Sequence, residues 1–283
     1  MIKPPTKHPT FIVIGAHKAA TTSLHYYLQR HPEVYLIPNK GTDILAKRHI
    51  SSLDDAGEYL AQYEDARSEI ALGEVSSVYL HGEGIPARIK RLFPNVKLIA
   101  ILRNPVERAY SHALFNEKMV TKDNIESIQL SILESKELLK PGYYYKYLKT
   151  YFELFDRGQI KLMLYDDLAT KKNDFFKEIL SFIGVNPNFE LSANRRYHKS
   201  KLSRQGIILN VVEVIRANSN IKPYLKFFLT PIFPQIKRFV AQKTEMPVPP
   251  LSEEVRRKLI EIYRHDIVQL QELTGLNCSH WLV

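Results

Sequence analysis

The 283-residue sequence holds a single cysteine, Cys278, so no internal disulfide and no multi-cysteine metal site can form, and a reducing, cytoplasmic setting is the simplest expectation. No stretch approaches the roughly 18 consecutive apolar residues that a membrane span needs. Residues 1–9 are Pro-rich and polar, without the apolar core of a secretion signal, and are expected to be a flexible N-terminus. Dense Lys/Arg blocks, zinc-finger spacings, metal-ligand clusters and internal repeats are also missing. These absences exclude a helical membrane span, a disulfide scaffold and a repeat array, and they argue against nucleic acid as a partner. Nothing in the sequence sets the oligomeric state.

What is there suits one enzyme-sized domain spanning residues 1–283. Hydrophobic residues make up 45% and charged residues 25%, an ordinary balance for a packed core. Forty Lys and Arg against 30 Asp and Glu give a formal charge of +10, and because the basic residues are scattered, a small anionic ligand is favoured over a duplex.

The order of elements reads as α/β, a central parallel sheet flanked by helices. Phe11-Ile12-Val13-Ile14 is a continuous apolar run typical of a strand buried on both faces. A small-residue loop from Gly15 to Ala20 leads to a helix over Thr21–Arg30, ended before His31-Pro32. A helical pattern over Ile85–Phe93 precedes a strand at Lys97–Leu102 and a helix opened by Pro105. Further expectations are a helix at Tyr143–Phe155, a strand at Ile160–Tyr165, a helix at Lys171–Ile183 ended by Gly184, and a closing helix at Glu253–Leu273. Residues 201–250 contain a Pro- and Phe-rich stretch, read as a surface-packed insertion in preference to an acceptor lid.

Two segments carry chemistry. Gly15-Ala16-His17-Lys18-Ala19-Ala20-Thr21-Thr22-Ser23 lies between a buried strand and a helix, where backbone N–H groups converge on an anion. Lys18 adds a cation, and the hydroxyls of Thr21, Thr22 and Ser23 add donors. The nucleoside triphosphatase pattern GxxxxGK[ST] is absent, because Lys18 follows Gly15 by three residues and two alanines come next. In Arg103-Asn104-Pro105-Val106-Glu107-Arg108-Ala109-Tyr110-Ser111, an arginine at a strand end and a serine two turns into the next helix can face one anion.

These residues resemble the two nucleotide motifs of sulfotransferases that use 3'-phosphoadenylyl sulfate (PAPS), in the branch of the heparan sulfate sulfotransferases and their bacterial relatives. The resemblance runs from about residue 10 to 185 and includes Gly142-Tyr143-Tyr144 and Lys161–Leu168. It implies a phosphate-loop (P-loop-like) sulfotransferase fold, with PAPS as co-substrate leaving as adenosine 3',5'-bisphosphate (PAP), and no metal. Lys18 would contact the phosphosulfate. Thr21, Thr22 and Ser23, with Gly15, His17, Ala19 and Ala20 of the same loop, would surround the 5'-phosphate, Ala20 standing where the family usually has glycine. Arg103 and Ser111 would clamp the 3'-phosphate, with Tyr143 and a late loop at Arg204-Gln205-Gly206 as further contacts.

The acceptor implied is a hydroxyl or amine of a carbohydrate or small natural product, polar alkaloids included. Its proton needs a carrier, and the glutamate that follows a lysine in much of this branch is replaced here: Lys40 is followed by Gly41. Asp43, Glu74 and His112 are the candidates to take over, and His25 is a further pocket candidate. Competing readings are a small-molecule kinase on a related fold and a non-catalytic nucleotide-binding protein.

Overall fold

A computed structural model describes residues 7–38, 40–46, 50–117, 120, 124–189 and 249–283. In chain order the elements are β1 (Phe11–Gly15), α1 (Thr21–Leu28), β2 (Val34–Leu36), α2 (Gly57–Ala61), β3 (Ala71–Val75), α3 (Ile85–Leu92), β4 (Lys97–Leu102), α4 (Pro105–Asn116), α5 (Ile125–Glu134), α6 (Lys136–Leu139), α7 (Tyr144–Leu154), β5 (Ile160–Leu164), α8 (Tyr165–Thr170), α9 (Lys172–Ile183) and α10 (Glu253–Thr274). The five strands form one sheet in the order β2-β3-β1-β4-β5, and every pair is parallel.

Parallel strands need crossovers, and the helices that supply them cover the sheet, so its middle strands lose water on both sides. All five residues of β1 are buried, as are Leu98 to Leu102 of β4. The chain leaves β1 towards β2 on one side and leaves β4 towards β5 on the other. That reversal opens a crevice beyond the carboxyl ends of β1 and β4, the place where sheets of this kind bind ligands.

The strand at Lys97–Leu102 is the fourth in chain order, since β2 and β3 escape the apolar-run reading. β3 is interrupted by Gly73, where an added Cβ would lie 2.1 Å from the Phe11 ring, so glycine lets that ring cross the neighbouring strand. The first helix ends at Leu28, two residues before the expected Arg30. The expected Lys171–Ile183 helix begins at Lys172, directly after α8, and does stop at Gly184, whose φ of 87° suits a residue without a Cβ.

The ends of α4 and α7 are fixed by named contacts. Asn104 Oδ1 accepts from the Val106 N–H at 3.0 Å and caps α4, with Pro105 in the first turn. The buried Asp266 carboxylate of α10 accepts from the N–H groups of Tyr145 (3.0 Å) and Lys146 (3.1 Å), satisfying the open donors at the start of α7. Just before that helix, a Cβ on Gly142 would meet the Tyr263 ring at 2.8 Å, which gives this glycine a packing reason. No helix among the described residues is long and apolar enough to cross a membrane.

Candidate active site

The turn after β1 is a tight, inward-folded loop. Ala16 and Ala19 are buried, the Ala16 N–H donates to Ile101 O at 2.9 Å, and the loop is thereby tied to β4. Lys18 and Ala20 both adopt left-handed backbone, with φ of 65° and 63°. Ala20 is the N-cap of α1 and offers no side-chain cap, so the first turn of the helix faces the crevice with its backbone donors. Thr21 is buried, and Thr22 Oγ1 accepts from Lys40 Nζ at 2.9 Å. Ser23, next in the turn, is also engaged within the protein.

The turn after β4 meets this loop. Arg103 Nη1 donates to Lys18 O at 3.1 Å, and its guanidinium lies 4.9 Å from the centre of the Tyr165 ring. Tyr144 holds the Arg103 backbone, its hydroxyl donating to Arg103 O at 2.7 Å and accepting from Arg103 N at 3.4 Å. Ser111, two turns into α4, is buried with 9% exposure. Two segments 85 residues apart therefore converge on one crevice, as the sheet order requires.

The electrostatics around the two turns are dominated by positive charge. Among the described residues no carboxylate forms a salt bridge with Lys18, Lys40 or Arg103. Burial, reinforced by repulsion from Arg103 and Lys40, pushes the Lys18 ammonium down to about 8. Burial lowers Lys40 too, with Asp43 pulling the other way. Lys18 Nζ sits 3.7 Å from the centre of the largely exposed Phe115 ring, whose negative face offers it a partner.

Beside the loop lies a histidine cluster. The His17 and His112 rings meet edge to face at 4.2 Å. Burial first, then the neighbouring positive charges, holds His17 down to about 3 and His81 and His112 to about 4. His25, on the buried side of α1, is lowered to about 4 by burial and then Lys40. Arg108 of α4 is fully buried, donates to Leu138 O, and leaves Nε and Nη1 without a hydrogen-bond partner.

The three candidate proton carriers are differently placed. Glu74 is fully buried near the carboxyl end of β3, its Oε1 accepting from Tyr79 (2.8 Å) and Thr42 (3.5 Å), while Oε2 is sealed without a partner. Burial pushes its carboxyl up to about 7, with those hydrogen bonds opposing. Asp43 is part-exposed, and its Oδ1 accepts from Ser76 Oγ at 2.8 Å. His112 is buried with Nδ1 unpaired.

Gly15, His17, Lys18, Ala19, Ala20, Thr21, Thr22 and Ser23 are thus one loop and helix start, and Arg103 joins it directly. Tyr143 instead packs its ring 5.2 Å from Tyr263, and the tyrosine that touches the Arg103 turn is its neighbour Tyr144. Arg204, Gln205, Gly206 and nearly all of 201–250 lie outside the described residues. Lys40, Phe115, Ser76 and Tyr144 escaped the sequence reading as site residues. Lys40 carried a signal in its match to the family lysine, and Tyr144 in its place within the matching segment Gly142-Tyr143-Tyr144.

The sequence matches the sulfotransferase domain family over residues 11–205, which takes in both turns. The chain belongs to the sulfotransferase family. It is 24% identical over 212 residues to human bifunctional heparan sulfate N-deacetylase/N-sulfotransferase 2, covering 68% of this chain and 24% of that protein. The membrane-associated sulfotransferase kil1 of Dictyostelium discoideum is 29% identical over 123 residues, 44% of this chain and 26% of its own length. The sulfotransferase chain thus spans about a quarter of the length of these curated relatives. A solved sulfotransferase from Alicyclobacillus acidocaldarius superimposes with a TM-score of 0.65 over 97% of this chain and 99% of its own, at 20% identity, a likeness of fold. The activity of that family is sulfuryl transfer.

Proposed function

We propose that this sulfotransferase takes its sulfuryl group from PAPS and passes it to a hydroxyl or amine of a carbohydrate or small natural product. The observation that carries the donor reading is the contact between Arg103 Nη1 and Lys18 O. It brings the turn suited to a 5'-phosphosulfate and the turn suited to a 3'-phosphate within reach of one nucleotide. The name of the human relative, a heparan sulfate N-sulfotransferase, supports a carbohydrate acceptor.

In this reading the first turn of α1 and Thr22 hold the 5'-phosphate, and Arg103 with Ser111 holds the 3'-phosphate. Lys18 then lies against the bridging oxygen, where negative charge grows as the S–O bond to the leaving phosphate breaks. A cation placed there stabilises the transition state more than the ground state. Catalysis by positioning and charge, with acceptor and leaving oxygens in line, parallels phosphoryl transfer.

Calorimetry with PAP, and ATP as control, tests the donor. Tight binding of PAP and weak binding of ATP is expected, whereas the reverse order would favour a kinase. Lys18→Ala should bind PAP and lose roughly 10² to 10³ in transfer rate. Full activity in that variant would refute the role given to Lys18.

A further inference from the structure

Position 41 is glycine, which offers no side chain to take the acceptor's proton. We infer that Asp43 is the catalytic base, taking that proton while the sulfuryl group transfers, an inference that rests on the donor site proposed above. Asp43 follows Gly41 in a loop that turns back on itself, with φ of 75° at Gly41 and 47° at Asp43, a conformation aspartate tolerates better than most residues. The turn directs its carboxylate to Ser76 at the end of β3. Ser76 Oγ accepts from the Val78 N–H at 3.1 Å, so its own proton is free to point at Asp43 Oδ1, 2.8 Å away. Ser76 is itself fixed to the central strand, its N–H donating to Val13 O at 2.9 Å.

One carboxylate oxygen is therefore anchored to the strand beside the phosphate loop, and Oδ2 accepts from no described residue. The link to the donor site runs through Lys40. Its ammonium feels the Asp43 charge, and it donates to Thr22 in the first turn of α1.

Neither rival is built for the task. The free oxygen of Glu74 is sealed, and the residue is fully buried, so it cannot touch an acceptor. His112 would gain a positive charge beside Arg108 and Lys18, its Nδ1 is sealed, and its ring lies against His17. Protonating Asp43 instead adds no cation to a site already crowded with them.

The step balances. The acceptor oxygen or nitrogen forms a bond to sulfur, and the bond from sulfur to the bridging oxygen breaks. Its electron pair leaves with PAP, and the acceptor's proton ends on Asp43 Oδ2. A base in an open site that deprotonates a hydroxyl does the same for water, so PAPS alone is a sufficient probe.

The experiment compares wild type, Asp43→Asn and His112→Asn in two measurements: PAP affinity by calorimetry, and inorganic sulfate released from PAPS. Asp43→Asn keeps the shape and the Ser76 hydrogen bond. It should bind PAP at least as well as wild type, which also shows that it folds, while sulfate release falls about a hundredfold. Release at the wild-type rate in Asp43→Asn, the loss appearing in His112→Asn instead, or wild-type release no faster than in buffer would each overturn the inference and leave the donor site standing. Failure of wild type to bind PAP would overturn both.

Discussion

Glu74→Gln should make the protein's stability less sensitive to pH, because the native carboxyl is buried where ionisation is costly. Below the ordinary value of 4.5 the group is protonated in both folded and unfolded chains and contributes no pH dependence. Between 4.5 and about 7 the unfolded chain has released its proton and the folded protein still holds one, so stability falls as pH rises. Above about 7 both states are ionised and the penalty is constant. At about 1.4 kcal/mol per pH unit the full penalty is roughly 3 kcal/mol, most of it between about pH 5 and about pH 8. Glutamine keeps an oxygen for Tyr79 and Thr42 and has no charge to bury. Urea unfolding of both proteins at those two pH values isolates the effect, since the titration of other groups largely cancels. The variant should gain about 2 to 3 kcal/mol on wild type in going from the lower pH to the higher. An advantage equal at both values would mean that Glu74 ionises in the folded protein as it does in the open chain.

Ala20→Gly should leave stability unchanged or raise it by up to about 1 kcal/mol in thermal unfolding, because the left-handed φ of 63° costs alanine about 1 to 2 kcal/mol and the extra freedom of glycine returns part of that. A loss of more than about 1 kcal/mol would show that the alanine methyl packs more than it strains. Arg103→Ala should weaken PAP binding by about 10- to 100-fold in calorimetry, the worth of a charge-assisted hydrogen bond to phosphate, and unchanged affinity would remove it from the site. For Lys18, lowered to about 8, a bound anion pulls the value back up, so binding takes up a proton above that pH. PAP affinity should fall as pH rises beyond about 8, by at most about tenfold per unit, and Lys18→Met should flatten that part of the profile.

The strands that carry the two motifs were legible because both are buried on both faces, which forces a continuous apolar run with nothing polar to disguise it. β3 was hidden by the same closeness of packing. Gly73 makes room for Phe11, and Glu74 places a carboxyl in the sheet, so neither periodicity nor propensity marks the segment. The two turns proposed to bind the nucleotide could be read because the residues of each are contiguous in sequence. Asp43 stood in the sequence only as one of three candidate proton carriers, because what sets it apart is assembled from distant pieces: its partner Ser76 lies 33 residues on, and Lys40 meets Thr22 from 18 residues before. The same division explains the Tyr143 and Tyr144 pair. Tyr144 reaches Arg103 while Tyr143 packs against Tyr263 of α10, 120 residues on, a long-range contact that no local pattern encodes. A phosphate loop is thus a property of a short sequence, whereas a proton carrier is a property of the fold, and the substitution at Gly41 could move the latter without disturbing the former.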